Sequence, residues 1–254
     1  MKQEILISLS SFGASEVSRL GQAQYARLAA QAGADGVEVR GELLSDSDAE
    51  LPAIAEAAPT LGRIFSSAEP LLSRDGALNL GALGRGLRAA RALAAKRLKM
   101  SIGSGAAAAP DALRTLADHL KCATIELLIE NDQTTDAGTL SALGRFLSAA
   151  DAQGLALGVT FDIGNWHWVG ECPQQAASAL ASRVRYVHCK GVQHRAHRWV
   201  ATPIADSAAP WRAVLRALPT GLPWAIEYPL VGDDLLAVTQ REVAQMRAVA
   251  ESLA

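Results

Sequence analysis

The sequence predicts a closed α/β barrel, the (β/α)8 or TIM-barrel fold, with residues 1–254 as one domain. Three observations predict it. Short apolar runs of period-two character alternate with longer segments of helical period along the whole chain. Alternation this regular calls for a parallel sheet with helical crossovers. Eight such units in 254 residues also match the usual size of a closed barrel. The competing doubly wound sheet would carry a glycine fingerprint after its first strand, and Ser10-Ser11-Phe12-Gly13-Ala14-Ser15 is not one. No linker, low-complexity tract or second domain interrupts the pattern.

The first apolar run is Ile5 to Leu9, followed by a helix through Tyr25 to Gln31 that ends at Gly33. Gly36 to Arg40 is the second strand, and an alanine-rich helix surrounds Ala53 to Ala58. Leu61 to Ser67 is the third strand, with a helix over Leu78 to Leu93. Arg97 to Ile102 is the fourth, closed by Gly103 and followed by a helix start at Pro110-Asp111. Ile125 to Asn131, Leu155 to Asp162, Val184 to Lys190 and Pro223 to Tyr228 are strands five to eight. The last helix runs from about Asp233 to near the C-terminus.

Composition excludes some functions. Half of the residues are hydrophobic, a fifth are charged, and the formal net charge is −2. That balance lacks the basic face a nucleic acid or anionic membrane needs. The N-terminal apolar run is too brief for a signal-peptide core, and no stretch approaches a transmembrane helix. Cys122, Cys172 and Cys189 are widely spaced and odd in number, which points to a reducing cytoplasm. Exposed barrel ends often pair, so a homodimer is left open.

In a (β/α)8 barrel the chemistry sits at the C-terminal ends of the strands. The fifth strand ends in Glu130-Asn131, the sixth in Asp162, the seventh carries His188, and the eighth ends in Glu227-Tyr228. Each follows a hydrophobic strand, where a lone charge is expensive to desolvate. Three carboxylates and an imidazole converging on one point would repel unless a cation sat between them. One divalent ion supplies that charge. An oxygen-rich set with one imidazole suits Mn²⁺ or Mg²⁺, with Zn²⁺, Co²⁺ and Fe²⁺ as alternatives. A single strand-end glutamate is as often structural as functional, so the argument rests on four together.

Strand alternation places other charges inward. Glu38 and Arg40 share a face of the second strand, Lys99 and Ser101 a face of the fourth, and Lys190 shares its face with His188. Arg40, Lys99 and Lys190 near a metal could hold a substrate carboxylate or phosphate. The alternative is that Arg40 pairs with Glu38 or a metal ligand and that Lys99 neutralises nearby acids. Lys190 could orient a ligand from behind. Trp166, His167 and Trp168 read as a loop wall over the site. His194, Arg195, His197 and Arg198 read as a solvated basic loop of the kind that covers a barrel mouth. His119 reads as a surface helix residue, Glu126 as a structural ion-pair partner, and Cys189 as pointing away from His188.

These residues resemble the sugar-phosphate isomerase/epimerase family of xylose-isomerase-like barrels, which includes keto-sugar epimerases and hydroxypyruvate isomerase. The resemblance runs over essentially the whole chain: Gly33-Ala34-Asp35-Gly36-Val37-Glu38-Val39-Arg40, Ile129-Glu130-Asn131, Phe161-Asp162-Ile163-Gly164-Asn165, Val187-His188-Cys189-Lys190, Pro203-Ile204 to Trp211, and Ile226-Glu227-Tyr228-Pro229, in the family's order. Within the family the chain is similar to epimerase-like proteins linked to keto-gluconate use. The resemblance implies that Glu130, Asp162, His188 and Glu227 bind one metal, Mn²⁺ first among the candidates. It also implies that Glu130 and Glu227 are an acid/base pair on opposite faces of a keto-sugar or keto-sugar acid. One takes the proton α to the carbonyl and the other returns a proton, through an enediolate. Many members have His where this chain has Asn165, Asp where it has Gly191, and His in place of Ser66-Ser67. Asn165 therefore joins Arg40, Lys99 and Lys190 as a residue expected to touch substrate.

The expectation is a metal-dependent isomerase or epimerase of a small sugar or sugar acid. A dehydratase of the same family shares the enediolate chemistry. A Schiff-base aldolase would use Lys99 without metal, and a non-catalytic sugar-binding barrel would use the fold alone. The family's DNA-repair nuclease branch needs more histidines than this chain offers.

Overall fold

Strand β1 (Ile5–Ser8) pairs in parallel with β2 (Gly36–Arg40) on one side and with the last barrel strand on the other, so the sheet closes on itself. Around the ring follow β3 (Gly62–Ser66), β4 (Arg97–Ser101), β5 (Glu126–Glu130), β6 (Gly158–Asp162) and β7 (Val184–Cys189). An antiparallel hairpin, β8 (Gly191–Arg195) and β9 (Arg198–Thr202), then leaves the barrel, and β10 (Trp224–Ile226) closes it. The computed structural model describes residues 2–103, 108–121 and 123–253. The closed parallel barrel is the fold class that the alternation predicts.

Helices cover the outside of each strand. They are α1 (Ala14–Leu20), α2 (Gln22–Gln31), α3 (Ser47–Ala57), α4 (Leu80–Ala92), α5 (Pro110–Lys121), α6 (Leu140–Asp151), α7 (Pro173–Leu180), α8 (Trp211–Ala217) and α9 (Leu235–Leu253). Side-chain caps start two of them: Asn79 Oδ1 accepts from Ala82 N ahead of α4, and Thr139 Oγ1 from Ala142 N ahead of α6. In α6, Ala142, Leu143, Phe146, Leu147 and Ala150 form the buried stripe, a helical period that lays one face on the sheet. No helix among the described residues is long and apolar enough to cross a membrane.

Inside the barrel, Leu6, Ile64, Leu128, Tyr186 and Ala225 form their own buried layer. This apolar plug is the floor of the site. It fits because Gly36 brings no side chain: a Cβ there would lie 2.7 Å from Gly62 O and 2.8 Å from Leu6 Cγ. Above the floor, strand register sets the polar residues side by side, with Glu130 opposite Ser101, and Asp162 opposite His188.

Several elements differ from the sequence expectation in extent. β6 begins at Gly158 instead of Leu155, because Leu155 N bonds back to Ala150 O and closes the end of α6, with Gly154 at φ 72°. β7 and β10 stop one residue short of Lys190 and Glu227, so both side chains project from the first residue beyond a strand. The segment read as a solvated loop is the β8–β9 hairpin, turned at Ala196 with φ 52°. Trp166 is fully buried against Phe161, ring centroids 5.4 Å apart, and belongs to the core instead of a loop wall. His119 is exposed on α5, and Glu126 pairs with Arg97 at 2.9 Å, as expected. Cys172 and Cys189 are free; Cys122 lies outside the described residues.

Candidate metal centre at the barrel mouth

His188 organises the site. Its ring is fully buried, and its two nitrogens face different partners. Nδ1 looks toward three carboxylates: Glu227 Oε2 at 2.8 Å, Glu130 Oε1 at 3.0 Å and Asp162 Oδ2 at 3.7 Å. Nε2 lies 2.7 Å from Glu38 Oε2 on the opposite side of the ring. Tyr186, one inward position deeper on β7, sets its ring edge-on to the imidazole at 5.0 Å. Glu130, Asp162, His188 and Glu227 each offer one ligand atom, all within 4.8 Å of one another, and could hold a metal ion.

The three inward cations all lie against this cluster. Lys99, 1 % exposed in mid-barrel, places Nζ 3.0 Å from Glu38 Oε1 and 2.8 Å from Glu130 Oε2. Arg40 Nη1 reaches Glu38 at 3.1 Å and Glu227 at 2.8 Å, and its other nitrogens hold Glu42. Lys190 Nζ sits 2.7 Å from Asp162 Oδ2 and 2.9 Å from Glu227 Oε2. Asn165 is buried: its Nδ2 donates to Asn131 O at 2.8 Å, and its Oδ1 accepts from Gln133 and Lys190 at 3.0 Å each. The structure thus brings every expected site residue to one end of the barrel. It engages Arg40, Lys99, Lys190 and Asn165 with protein partners.

Glu38 is the participant that strand alternation alone left as an ion-pair partner for Arg40. It is fully buried and accepts from His188, Lys99 and Arg40. The signal was present, since Glu38 shares Arg40's inward face. What the pattern could not show was that its nearest imidazole comes from a strand 150 residues away.

The charges fix the protonation pattern. Burial pushes the Glu227 carboxyl up, but the His188, Lys190 and Lys99 charges outweigh it and hold the group well below the usual carboxylate range. Burial likewise raises Glu38 and Glu130, and the cations beside each reverse the shift. His188 runs the other way: burial alone would lower it, but Glu227 and Glu38 raise it well above the ordinary imidazole value. Asp162 is raised, by burial first, with Glu227 adding to the effect against the pull of Lys190. Four buried carboxylates face three permanent cations, and the remaining negative charge is met by the proton on His188.

The donor set fits a divalent ion. Lys190 lies within ion-pair distance of Asp162 Oδ2, yet off the line of a hydrogen bond, and that buried oxygen has no directed donor. The Lys190 ammonium meets that oxygen's charge but not its lone pairs, which stay open to a further ligand such as a metal ion. Glu38 meanwhile fixes the ring: with Nε2–H donated to Glu38, loss of the Nδ1 proton would leave that nitrogen's lone pair directed at an ion held among the three carboxylates. This is the carboxylate–histidine arrangement found behind metal-ligating imidazoles.

Fold and site together define a parallel barrel with, among the described residues, one centre capable of holding a metal at its C-terminal mouth. The chain belongs to the xylose isomerase-like TIM barrel family, whose profile matches residues 26–248. Among solved structures, L-ribulose 3-epimerase superposes with a TM-score of 0.71 at 17% identity, over 99% of this chain and 95% of that one. D-allulose 3-epimerase from Methylomonas sp. gives 0.70 at 15% identity, over 98% of each chain. A xylose isomerase-like TIM barrel/4-hydroxyphenylpyruvate dioxygenase fusion protein gives 0.70 at 15% identity; 96% of this chain covers only 42% of that longer one. At these identities the likeness is one of fold. No curated protein matches the chain.

Proposed function

We propose that the chain is a divalent-metal-dependent isomerase or epimerase of a small keto-sugar or keto-sugar acid. The observation that carries this reading is the convergence of Glu130, Asp162, His188 and Glu227 with their ligand atoms within 4.8 Å, in a family of epimerase-like barrels. These four residues would hold the ion, with Mn²⁺ preferred for an oxygen-rich set with one imidazole. When bound, such an ion supplies Lewis acidity that polarises a substrate carbonyl. The cytoplasm is the proposed compartment and a small sugar the proposed partner.

Glu130 and Glu227 are the proposed acid/base pair. They enter the site from β5 and from the end of β10, so they approach a ligand from different sides. Both are held ionised in the metal-free chain, so either can act as the base, and its partner must first take a proton from solvent before it can return one to carbon. The cations that ionise them also make them weak bases, so proton transfer from carbon needs a substrate C–H made acidic by carbonyl polarisation. Lys99 and Arg40 remain beside the pair to compensate an enediolate's negative charge. The Schiff-base alternative loses support from the same geometry. It needs a neutral amine, and although burial alone would lower Lys99, Glu130 and Glu38 raise it.

The test is Mn²⁺ titration of metal-stripped protein by calorimetry, repeated with His188→Ala. One tight site that disappears in the variant, with exchange of solvent protons into keto-sugars by the loaded wild type, supports the reading. Absence of binding by the wild type to Mn²⁺, Zn²⁺ and Co²⁺ alike would end it. Product analysis separates a dehydratase, which releases water, from an epimerase.

A further inference from the structure

The cations expected to receive a substrate anion are all engaged with carboxylates of the metal centre. Two other arginines are not. Arg195 and Arg198 are cross-strand partners at the tip of the β8–β9 hairpin. Arg195 donates only to the neutral Gln193 side chain, at 3.2 and 3.4 Å, and Arg198 has no ion-pair partner among the described residues. Like charges directly opposite one another on a hairpin repel. The cavity of ≈ 460 Å³ between β9 and Pro229 is lined by both arginines, Val200, Thr202 and Pro203, with no carboxylate among its lining residues.

A second observation points to a ligand in that cavity. Thr202, which lines it, is 6 % exposed, and its Oγ1 is buried without a hydrogen-bond partner. A hydroxyl left in that condition costs stability unless something in the cavity meets it. The cavity also adjoins the metal centre along the chain. Thr202 pairs with Gly191, the neighbour of Lys190, and Pro229 lies two residues after Glu227. Thr202 and Arg198 lie four residues apart on β9, roughly 13 Å, so the arginine side chains must lie along the hairpin for one anion to meet both.

We propose that this cavity is the subsite for an oxyanion at the far end of the substrate, a phosphate or a carboxylate. Arg195 and Arg198 would serve as its charge-assisted donors and Thr202 as its hydroxyl contact. The inference rests on the sugar-isomerase reading and narrows it to anionic sugars. The bidentate geometry of guanidinium suits either oxyanion, and an anion there would relieve the repulsion between the two arginines.

The test titrates inorganic phosphate, and separately acetate, into the full chain at low ionic strength. The wild type, Arg195→Ala/Arg198→Ala and Thr202→Val are compared, with Mn²⁺ titrated into the same proteins in parallel. The expected result is one saturable phosphate site, weakened about tenfold or more in the double variant and measurably in Thr202→Val, with Mn²⁺ binding unchanged. Tighter acetate than phosphate, with the same arginine dependence, assigns the subsite to a sugar-acid carboxylate. Phosphate binding that survives loss of both arginines, or no saturable binding of either anion by the wild type, overturns the proposal. An arginine-dependent anion site in a protein that takes up no metal would leave this subsite standing and remove the metal reading alone.

Discussion

The imidazole of His188 is held from behind by Glu38, whose Oε2 accepts from Nε2 at 2.7 Å, while Nδ1 faces Glu227, Glu130 and Asp162. Glu38 therefore sets the orientation and tautomer of the ring without offering itself to the centre. Glu38→Gln keeps the shape but removes the charge that balances His188, Lys99 and Arg40. Mn²⁺ affinity should fall roughly 10–100-fold while the circular dichroism spectrum stays the same. Undiminished affinity in a folded variant would show that Glu38 serves only the lysine and arginine.

The protonated His188 gives the metal-free protein a definite pH signature. Its folded-state pKa is raised, so its contribution is complete below the ordinary imidazole value and is lost as pH climbs through the raised value. Glu227, Glu130 and Glu38 have depressed values, so their contribution is present above the ordinary carboxylate range and is lost as pH falls toward the depressed values. Thermal midpoints of the metal-free chain should decline on the alkaline side of neutrality. Because a metal ligand must be deprotonated, Mn²⁺ affinity should rise over that same range. Midpoints flat with pH on the alkaline side, or an affinity that falls there, would contradict the assignment of the proton to His188.

Glu227 is both a candidate ligand and a candidate acid/base group, and its isostere separates the two. Glu227→Gln should lower proton exchange at the substrate α-carbon by about 10²–10⁴-fold, more than the change in metal affinity accounts for at saturating Mn²⁺. Full turnover in this variant would remove Glu227 from the proton-transfer step.

The barrel floor makes a prediction about stability alone. A methyl group at Gly36 would meet the backbone oxygen of Gly62 at 2.7 Å and the Leu6 side chain at 2.8 Å. A backbone oxygen cannot swing aside as a side chain can. Gly36→Ala should therefore cost about 1–3 kcal/mol, read from denaturant midpoints. An unchanged midpoint would mean that β2 and β3 shift apart without penalty.

How much of this was legible in the sequence depended on whether the information was local. Glu130, Asp162, His188 and Glu227 stand at the ends of apolar strands, and the barrel rule converts that position into convergence. Glu38 sits two residues inside its strand, and its partner is fixed only by closure of the ring. Arg40, Lys99 and Lys190 could be placed on the inward face by alternation, but alternation does not say whether a cation meets substrate or a neighbouring carboxylate. Trp166 follows Asp162 closely and reads as a loop residue, yet the chain turns inward there and buries the indole against Phe161. The hairpin was hidden because His194-Arg195-Ala196-His197-Arg198 has the polarity of a solvated loop; the ladder beneath it depends on backbone pairing that side-chain patterning does not reveal.

That hairpin is tied to the barrel by the ring contacts of Trp199. Trp199 contacts His167, tilted at 4.9 Å between ring centroids, and its cross-strand partner His194, edge-on at 5.0 Å. His167 comes from the turn after β6, so the contact ties the β8–β9 hairpin to the loop that follows Asp162. Each such ring pair is worth about 0.5–1.5 kcal/mol. The other anchors, Val192 N to Ser207 Oγ at 3.0 Å and Gln193 Nε2 to Asp206 O at 2.9 Å, lie toward the hairpin's base. Trp199→Ala should thus free the tip while leaving the base attached. Amide exchange should accelerate several-fold at residues 194–199, little at 191–192, and not at all in the barrel strands. Uniform acceleration across the hairpin would place its anchoring in the tryptophan alone; no acceleration at the tip would show that the backbone ladder suffices without it.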